Sequence, residues 1–355
     1  MNIAHARMHS QRLVTPAFET PGEVVRWMGA MQAQDYHQAV WAIGSRMANP
    51  TLAAVEAAIE AGDILRTWPM RGTIHFVAAE EARWRVELAA DRSMSSSAAR
   101  LRQLELTEDD IHRCRDIAER RLAGRQRMQR GDLLLAFDEG GVSTAGQRGY
   151  HILSQLALRA VLCLGPNDGK QQTYVLLDDW THGAPSRPRD ESLAELARRY
   201  AISHGPATAH DLAWWAGITV TDARAGFEAA RPDVTPREID GTVYWVAEGA
   251  DDQAVDAGHL ALLAGYDEYL LGYQNRDAVI DRANASAICP GANGVFYPMV
   301  VVGGQIVGTW RRTLRRDLAV IGRAVFADVV VRDGAFESAA RRYAAFHGLE
   351  VAFET

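Results

Sequence analysis

Gln32-Ala33-Gln34 places two side-chain amides around one small apolar residue, and about forty residues later comes Arg71-Gly72-Thr73-Ile74-His75-Phe76-Val77. On a regular helix, positions i and i+2 point about 200° apart, whereas in an extended or turning segment they face the same way. Two amides on an extended segment therefore converge on one small target. An amide offers donors and an acceptor but no charge, which suits holding a water better than moving a proton outright. Alone, the triplet reads more simply as the polar end of a helix. Arg71, Thr73 and His75 alternate in a stretch that reads as extended, so they project to one side and are candidates for lining a substrate pocket; a histidine packed on an aromatic neighbour is the plainer reading.

The elements that must hold these residues are legible in outline. Pro21-Gly22-Glu23 opens an apolar-periodic run through Val24, Val25, Trp27, Met28 and Met31, and Thr51 caps a second run at Leu52, Val55, Ala58 and Ile59. Ile64 to Val77 looks extended, with breaks at Pro69 and Gly72. Helix, helix, strand pair is the order of a winged helix. The pattern returns with Glu108 to Leu122, Asp132 to Glu139 and Gly149 to Ala160 as helices, and a wing made by Val161 to Leu164 and Thr173 to Leu177 around Pro166-Asn167-Asp168-Gly169. It returns again with Glu191 to Ser203, Ala209 to Ala216, a helix capped by Thr221, and the strand Val243 to Val246. From Leu260 the texture turns to strands at Ala287-Ile288-Cys289, Val295 to Val302 and Gln305 to Trp310, with Gly303-Gly304 as a two-residue hairpin signal. Glu337 to His347 reads as a closing helix.

The expected fold class is α+β: three tandem winged-helix units, each a helix-turn-helix plus a wing, followed by a β-rich module. The expected division is 1–100 for the first winged helix, 101–184 for the second, 190–250 for the third and 255–355 for the β-rich scaffold.

A chain of 355 residues with 48% hydrophobic content buries a substantial core. Its net charge of −7 and pI of about 5.9 give no global attraction to nucleic acid or anionic lipid, so any polyanion must meet a local patch. Cys114, Cys163 and Cys289 lie far apart without CxxC spacing, which argues against a disulfide framework or a structural zinc, and a reducing cytoplasm fits. Neither an apolar leader core nor a run of about 18 apolar residues occurs, so neither export nor membrane insertion is expected. Among 38 basic residues only Lys170 is a lysine.

Taken in order, Gln32-Ala33-Gln34, Arg71 to His75, His204-Gly205-Pro206-Ala207-Thr208, Trp214-Trp215, Tyr266-Asp267-Glu268-Tyr269-Leu270-Leu271-Gly272 and Gly308-Thr309-Trp310-Arg311 resemble the AlkZ/YcaQ-type winged-helix DNA glycosylases. The resemblance spans nearly the whole chain. It implies three tandem winged helices on a β-barrel scaffold, concave overall, acting as a monomer on double-stranded DNA that contains alkylated purines, including interstrand crosslinks. It implies no cofactor and no metal, and it assigns the catalytic motif to Gln32 and Gln34. Another branch carries glutamine-apolar-aspartate; here the acid, Asp35, stands one residue later, which places the chain in the first branch. Members of that branch often protect producers of DNA-alkylating antibiotics.

The chemistry is consistent on its own terms. A purine alkylated on a ring nitrogen already carries positive charge, so it leaves without strong acid help, and two neutral amides suffice to place the attacking water and hold the junction. A lyase step needs an amine nucleophile. Lys170 reads as a solvated turn residue, so a monofunctional enzyme leaving an abasic site is expected. The candidate phosphate contacts are Arg311, Arg312, Arg315 and Arg316, the hairpin Gly303-Gly304-Gln305, and the run Arg120, Arg121, Arg125, Arg127 and Arg130. Trp214-Trp215 reads as core, with stacking on a base as the alternative, and Asp267 and Glu268 with Arg276 read as an internal salt bridge supporting the barrel, with an active-site border as the alternative. The rival reading is a non-catalytic winged-helix regulator or lesion binder.

Overall fold

The computed structural model describes residues 1–250, 253–327 and 329–354. The chain forms two compact units that do not follow its order. The first gathers Met1–Val55, Ala194–Trp215 and Thr219–Thr355, and the second holds Glu56–Leu193 with Ala216–Ile218.

In the second unit, the hairpin Ile64–Met70 and Thr73–Ala78 pairs antiparallel, and Arg66 meets Leu164 so that the strands Leu162–Leu164, Thr173–Leu176 and Met128–Gln129 extend the same sheet. The expected first and second wings thus share one sheet. The helices Glu108–Leu122, Arg130–Glu139 and Arg148–Leu158 bury Ile111, Cys114, Leu133, Phe137, Ile152 and Leu156 in a core with Trp68 and Leu162. Thr107 and Asp110 close a reciprocal cap on the first of them. The 22-residue helix Ala82–Gln103, which sequence periodicity did not reveal, also belongs here.

In the first unit, an unforeseen helix, Ile3–Ser10, is capped by the Asn2 side chain and contributes Ala4 and Met8 to a core with Leu263, Tyr269, Ile288, Met299 and Ile306. Pro21–Met28 starts with a capping box between Thr20 and Glu23, and Asp35 caps Tyr36–Gly44. The hairpin Val234–Ile239 and Thr242–Ala247 turns through Asp240 and Gly241, both at positive φ. A five-stranded half-barrel sheet follows, in the order Glu350–Phe353, Leu318–Val325, Gln305–Leu314, Met299–Val302, Leu260–Leu263. Gly303 and Gly304 make the expected turn, at φ +53° and +83°. Gly308 is required where the half-barrel strands close up, because a Cβ there would lie 2.3 Å from the Ala324 carbonyl oxygen. The closing helix, Asp333–Phe346, places Tyr343 edge-on between Trp41 and Trp310.

Several local expectations are corrected. Ala285–Ile288 is a short helix rather than a strand, and the strand after it begins at Met299, since Pro298 has no N–H to donate to a ladder. Thr219, not Thr221, caps Val220–Ala229. Arg71 stands at φ +52° in the turn between two strands, so it does not share an alternation with Thr73 and His75.

His347, which follows the closing helix, is held down at about 4 by burial first and then by the positive charges of Arg312 and His37. The folded state therefore holds it neutral, and its contribution to stability is complete above the ordinary value of 6.5 and is lost as pH falls from 6.5 toward 4. We expect His347→Gln to flatten that part of the pH dependence of the melting temperature, measured by thermal unfolding across the interval.

Candidate active site

The glutamine triplet spans the gap between two helices. Gly29, at φ +76°, ends Pro21–Met28 and turns the chain into the short strand Met31–Gln32, and Asp35 then starts the next helix by accepting the Gln38 N–H at 3.2 Å. Met31 and Ala33 are fully buried, which pins the segment to the core at alternate positions. The intervening side chains are left to meet: Gln32 Nε2 donates to Gln34 Oε1 at 2.8 Å. Gln32 is 6% exposed and Gln34 lies open to solvent. Among the described residues no partner is recorded for Gln32 Oε1 or Gln34 Nε2. One acceptor and one donor thus remain for a small polar guest such as water.

Behind the triplet lies a buried polar network drawn from all three stretches of the unit. Arg46 donates to both carboxylate oxygens of Asp267, at 3.0 and 2.8 Å, and to Gln11 Oε1 at 2.7 Å. Gln11 in turn donates to the Glu268 carbonyl and to the Tyr273 hydroxyl. Glu268 is 1% exposed. Its Oε1 accepts the Gln32 backbone N–H at 2.9 Å, and its Oε2 accepts the Trp215 indole N–H at 2.8 Å with the His204 ring 3.7 Å away. Burial lowers the His204 pKa against the opposing pull of Glu268, which favours the neutral ring. Gly272 is obligatory beside it, since a Cβ would lie 2.7 Å from the His204 ring.

This geometry revises part of the sequence reading. The partner of Asp267 is Arg46, while Arg276 packs against Trp214 and Phe296 at 5.3 Å from each ring. Trp215 is core, as expected, but it also anchors Glu268. Sequence reasoning passed over Gln11, Arg46 and the role of His204. The signal available was the acidic pair Asp267-Glu268 amid apolar residues, which burial obliges to find internal donors. Leu270, in the short helix Glu268–Leu271, lines an apolar cavity of about 600 Å³ together with Ile280, Ile288, Cys289 and Phe296.

Residues 25–346 match the family described as DNA glycosylase AlkZ-like. The chain belongs to that family. It is 29% identical over 329 residues to the interstrand DNA cross-link repair glycosylase of Streptomyces sahachiroi, an alignment covering 86% of this chain and 85% of the relative. The solved structure of Streptomyces sahachiroi DNA glycosylase AlkZ shares the fold with a TM-score of 0.82 at 24% identity, covering 99% of this chain and 98% of that one.

The other candidate residues of this AlkZ-like chain are scattered. Arg71, Thr73 and His75 belong to the second unit, where His75 is fully buried with Nδ1 3.0 Å from the Thr73 carbonyl. Arg315 and Arg316 are exposed at the turn after Gln305–Leu314, whereas Gly303-Gly304-Gln305 lies at the opposite end of that strand. There Gly304 is buried against Ala4 and His5, and its carbonyl accepts the Tyr269 hydroxyl at 2.6 Å. Arg311 pairs with Glu354, and Arg312 lies over the Tyr343 ring. In the second unit, Arg121 pairs with Glu139 and Arg127 with Glu60.

Removing one member of the buried pair leaves an uncompensated charge, so Arg46→Met is expected to lower unfolding stability by about 3–5 kcal/mol. Adding Asp267→Leu recovers a large part of the loss, though not the Tyr269 N–H that Asp267 also caps at 2.9 Å. Urea unfolding of the two variants measures both effects.

Proposed function

We propose that this DNA glycosylase hydrolyses the N-glycosidic bond of alkylated purines, bulky or crosslinked adducts included, and leaves an abasic site. The observation that carries the reading is the convergence of the two glutamine side chains at 2.8 Å, through Gln32 Nε2 and Gln34 Oε1. Gln32 Oε1 and Gln34 Nε2 are the atoms that hold the attacking water. Water oxygen bonds to C1′ of the deoxyribose, the bonding pair leaves with the cationic base and neutralises it, and the water's proton passes to solvent. Because neither amide carries charge, undamaged purines, whose departure requires protonation, are left intact. The extension to crosslinks draws on the name of the Streptomyces sahachiroi relative.

Asp35 is engaged as a helix cap, which fits a pair of glutamines rather than a glutamine and an acid as the working groups. The single lysine lies exposed in the turn closed by Asp168 and Gln171, a place that suits a solvated residue rather than an amine nucleophile. Duplex DNA is held by phosphate contacts, with the exposed Arg315 and Arg316 as the leading candidates beside Arg311 and Arg312. In the Gly303-Gly304-Gln305 turn Gly304 packs on the first helix, and the exposed Gln305 stays the turn's candidate contact.

Release of methylated purine from alkylated duplex DNA tests the proposal. Gln32→Ala and Gln34→Ala are each expected to slow single-turnover release by about 10²–10³-fold with duplex affinity retained, the range seen on removing one preorganised hydrogen-bonding group. Wild-type rates from the double variant would refute the assignment. Borohydride is expected to trap no covalent Lys170 adduct, and binding is expected to weaken steeply with salt.

A further inference from the structure

The reaction proposed for the glutamine pair develops positive charge on the sugar, yet the pair itself is neutral. The buried acid bonded to the backbone of the pair is Glu268. Both of its oxygens accept from groups that only donate, the Gln32 backbone N–H at 2.9 Å and the Trp215 indole N–H at 2.8 Å, an arrangement that satisfies the ionised carboxylate. Trp215 is itself fixed by Tyr200 and His204, with ring centroids at 4.9 and 5.1 Å. The helix carrying Glu268 is held in place by its neighbour, since Asp267 binds Arg46 with both oxygens and caps the Tyr269 N–H. A buried carboxylate is an expensive way to fill space, and an apolar side chain of similar volume would pack more favourably. Its direct bond to the backbone of Gln32 gives it a different use.

We infer that Glu268 is a positioning residue for glycosidic-bond cleavage, fixing the Gln32 peptide so that the two amides meet, and setting a negative charge behind them that favours the cationic sugar. The inference rests on the glutamine-pair reading above.

Glu268→Gln tests it, because the amide keeps an oxygen for the Gln32 N–H and removes the charge. Single-turnover excision is expected to fall at least about tenfold with duplex affinity retained, the melting temperature falls somewhat because the new amide NH2 faces the Trp215 indole N–H, and Glu268→Asp is expected to restore part of the rate. Glu268→Gln excising at the wild-type rate would overturn the inference, as would rate and duplex affinity falling together, which marks a purely structural residue. If Glu268→Gln does not fold, Glu268→Asp keeps the charge but draws it back from the Gln32 N–H: a slower rate at unchanged affinity supports the inference, and an unchanged rate overturns it. The two readings fail separately. Activity retained without Gln32 and Gln34 defeats the glutamine proposal, whereas an inactive glutamine double variant beside a fully active Glu268→Gln defeats only this one.

Discussion

The buried ion pair between Arg46 and Asp267 is the constraint from which the site is built. Arg46 comes from the end of the helix that Asp35 begins, Asp267 from the entry to the short helix Glu268–Leu271, and Gln11 from the end of the first helix. Three distant stretches are thereby fixed to one another through charge-assisted bonds in a region that excludes water. With Asp267 held, Glu268 has one place to go, and that place is the Gln32 peptide. The exposed pair of amides is the visible end of a chain of buried contacts.

Aromatic packing secures the same arrangement from the other direction. The indole N–H groups of Trp41 and Trp310 donate to the adjacent carbonyls of Leu262 and Leu263, at 2.8 and 2.7 Å, and Tyr343 sits between the two rings. The edge strand of the half-barrel thus holds the helix that follows the glutamine triplet. Phe346 closes against Gly44, where a Cβ would lie 2.7 Å from its ring. Trp41 and Trp310 each bury a large apolar body and satisfy the indole N–H, so the site rests on tight packing as much as on charge.

What the sequence disclosed followed from local rules. The glutamine triplet, the helix starts at Pro21 and Glu108, and the Gly303-Gly304 turn all depend on residues a few positions apart, and all were readable. Pairings such as Arg46 with Asp267 are separated by 221 positions and have no periodic signature, so Arg276, nearer in sequence, was the mistaken choice. Arg71 went astray for a related reason: the alternation expected of a strand was broken by a turn at Gly72. The helix Ile3–Ser10 was hidden because its buried face includes Arg7, whose Nε donates to the Pro206 carbonyl and whose guanidinium lies over Tyr273.

The interrupted course of the first unit has a consequence for biosynthesis. Most of the second unit lies in one continuous stretch, residues 56–193, whereas the bond from the Gln32 N–H to Glu268, in the first unit, joins segments made at opposite ends of synthesis. The N-terminal stretch thus has a partner more than two hundred residues downstream, which emerges late in synthesis.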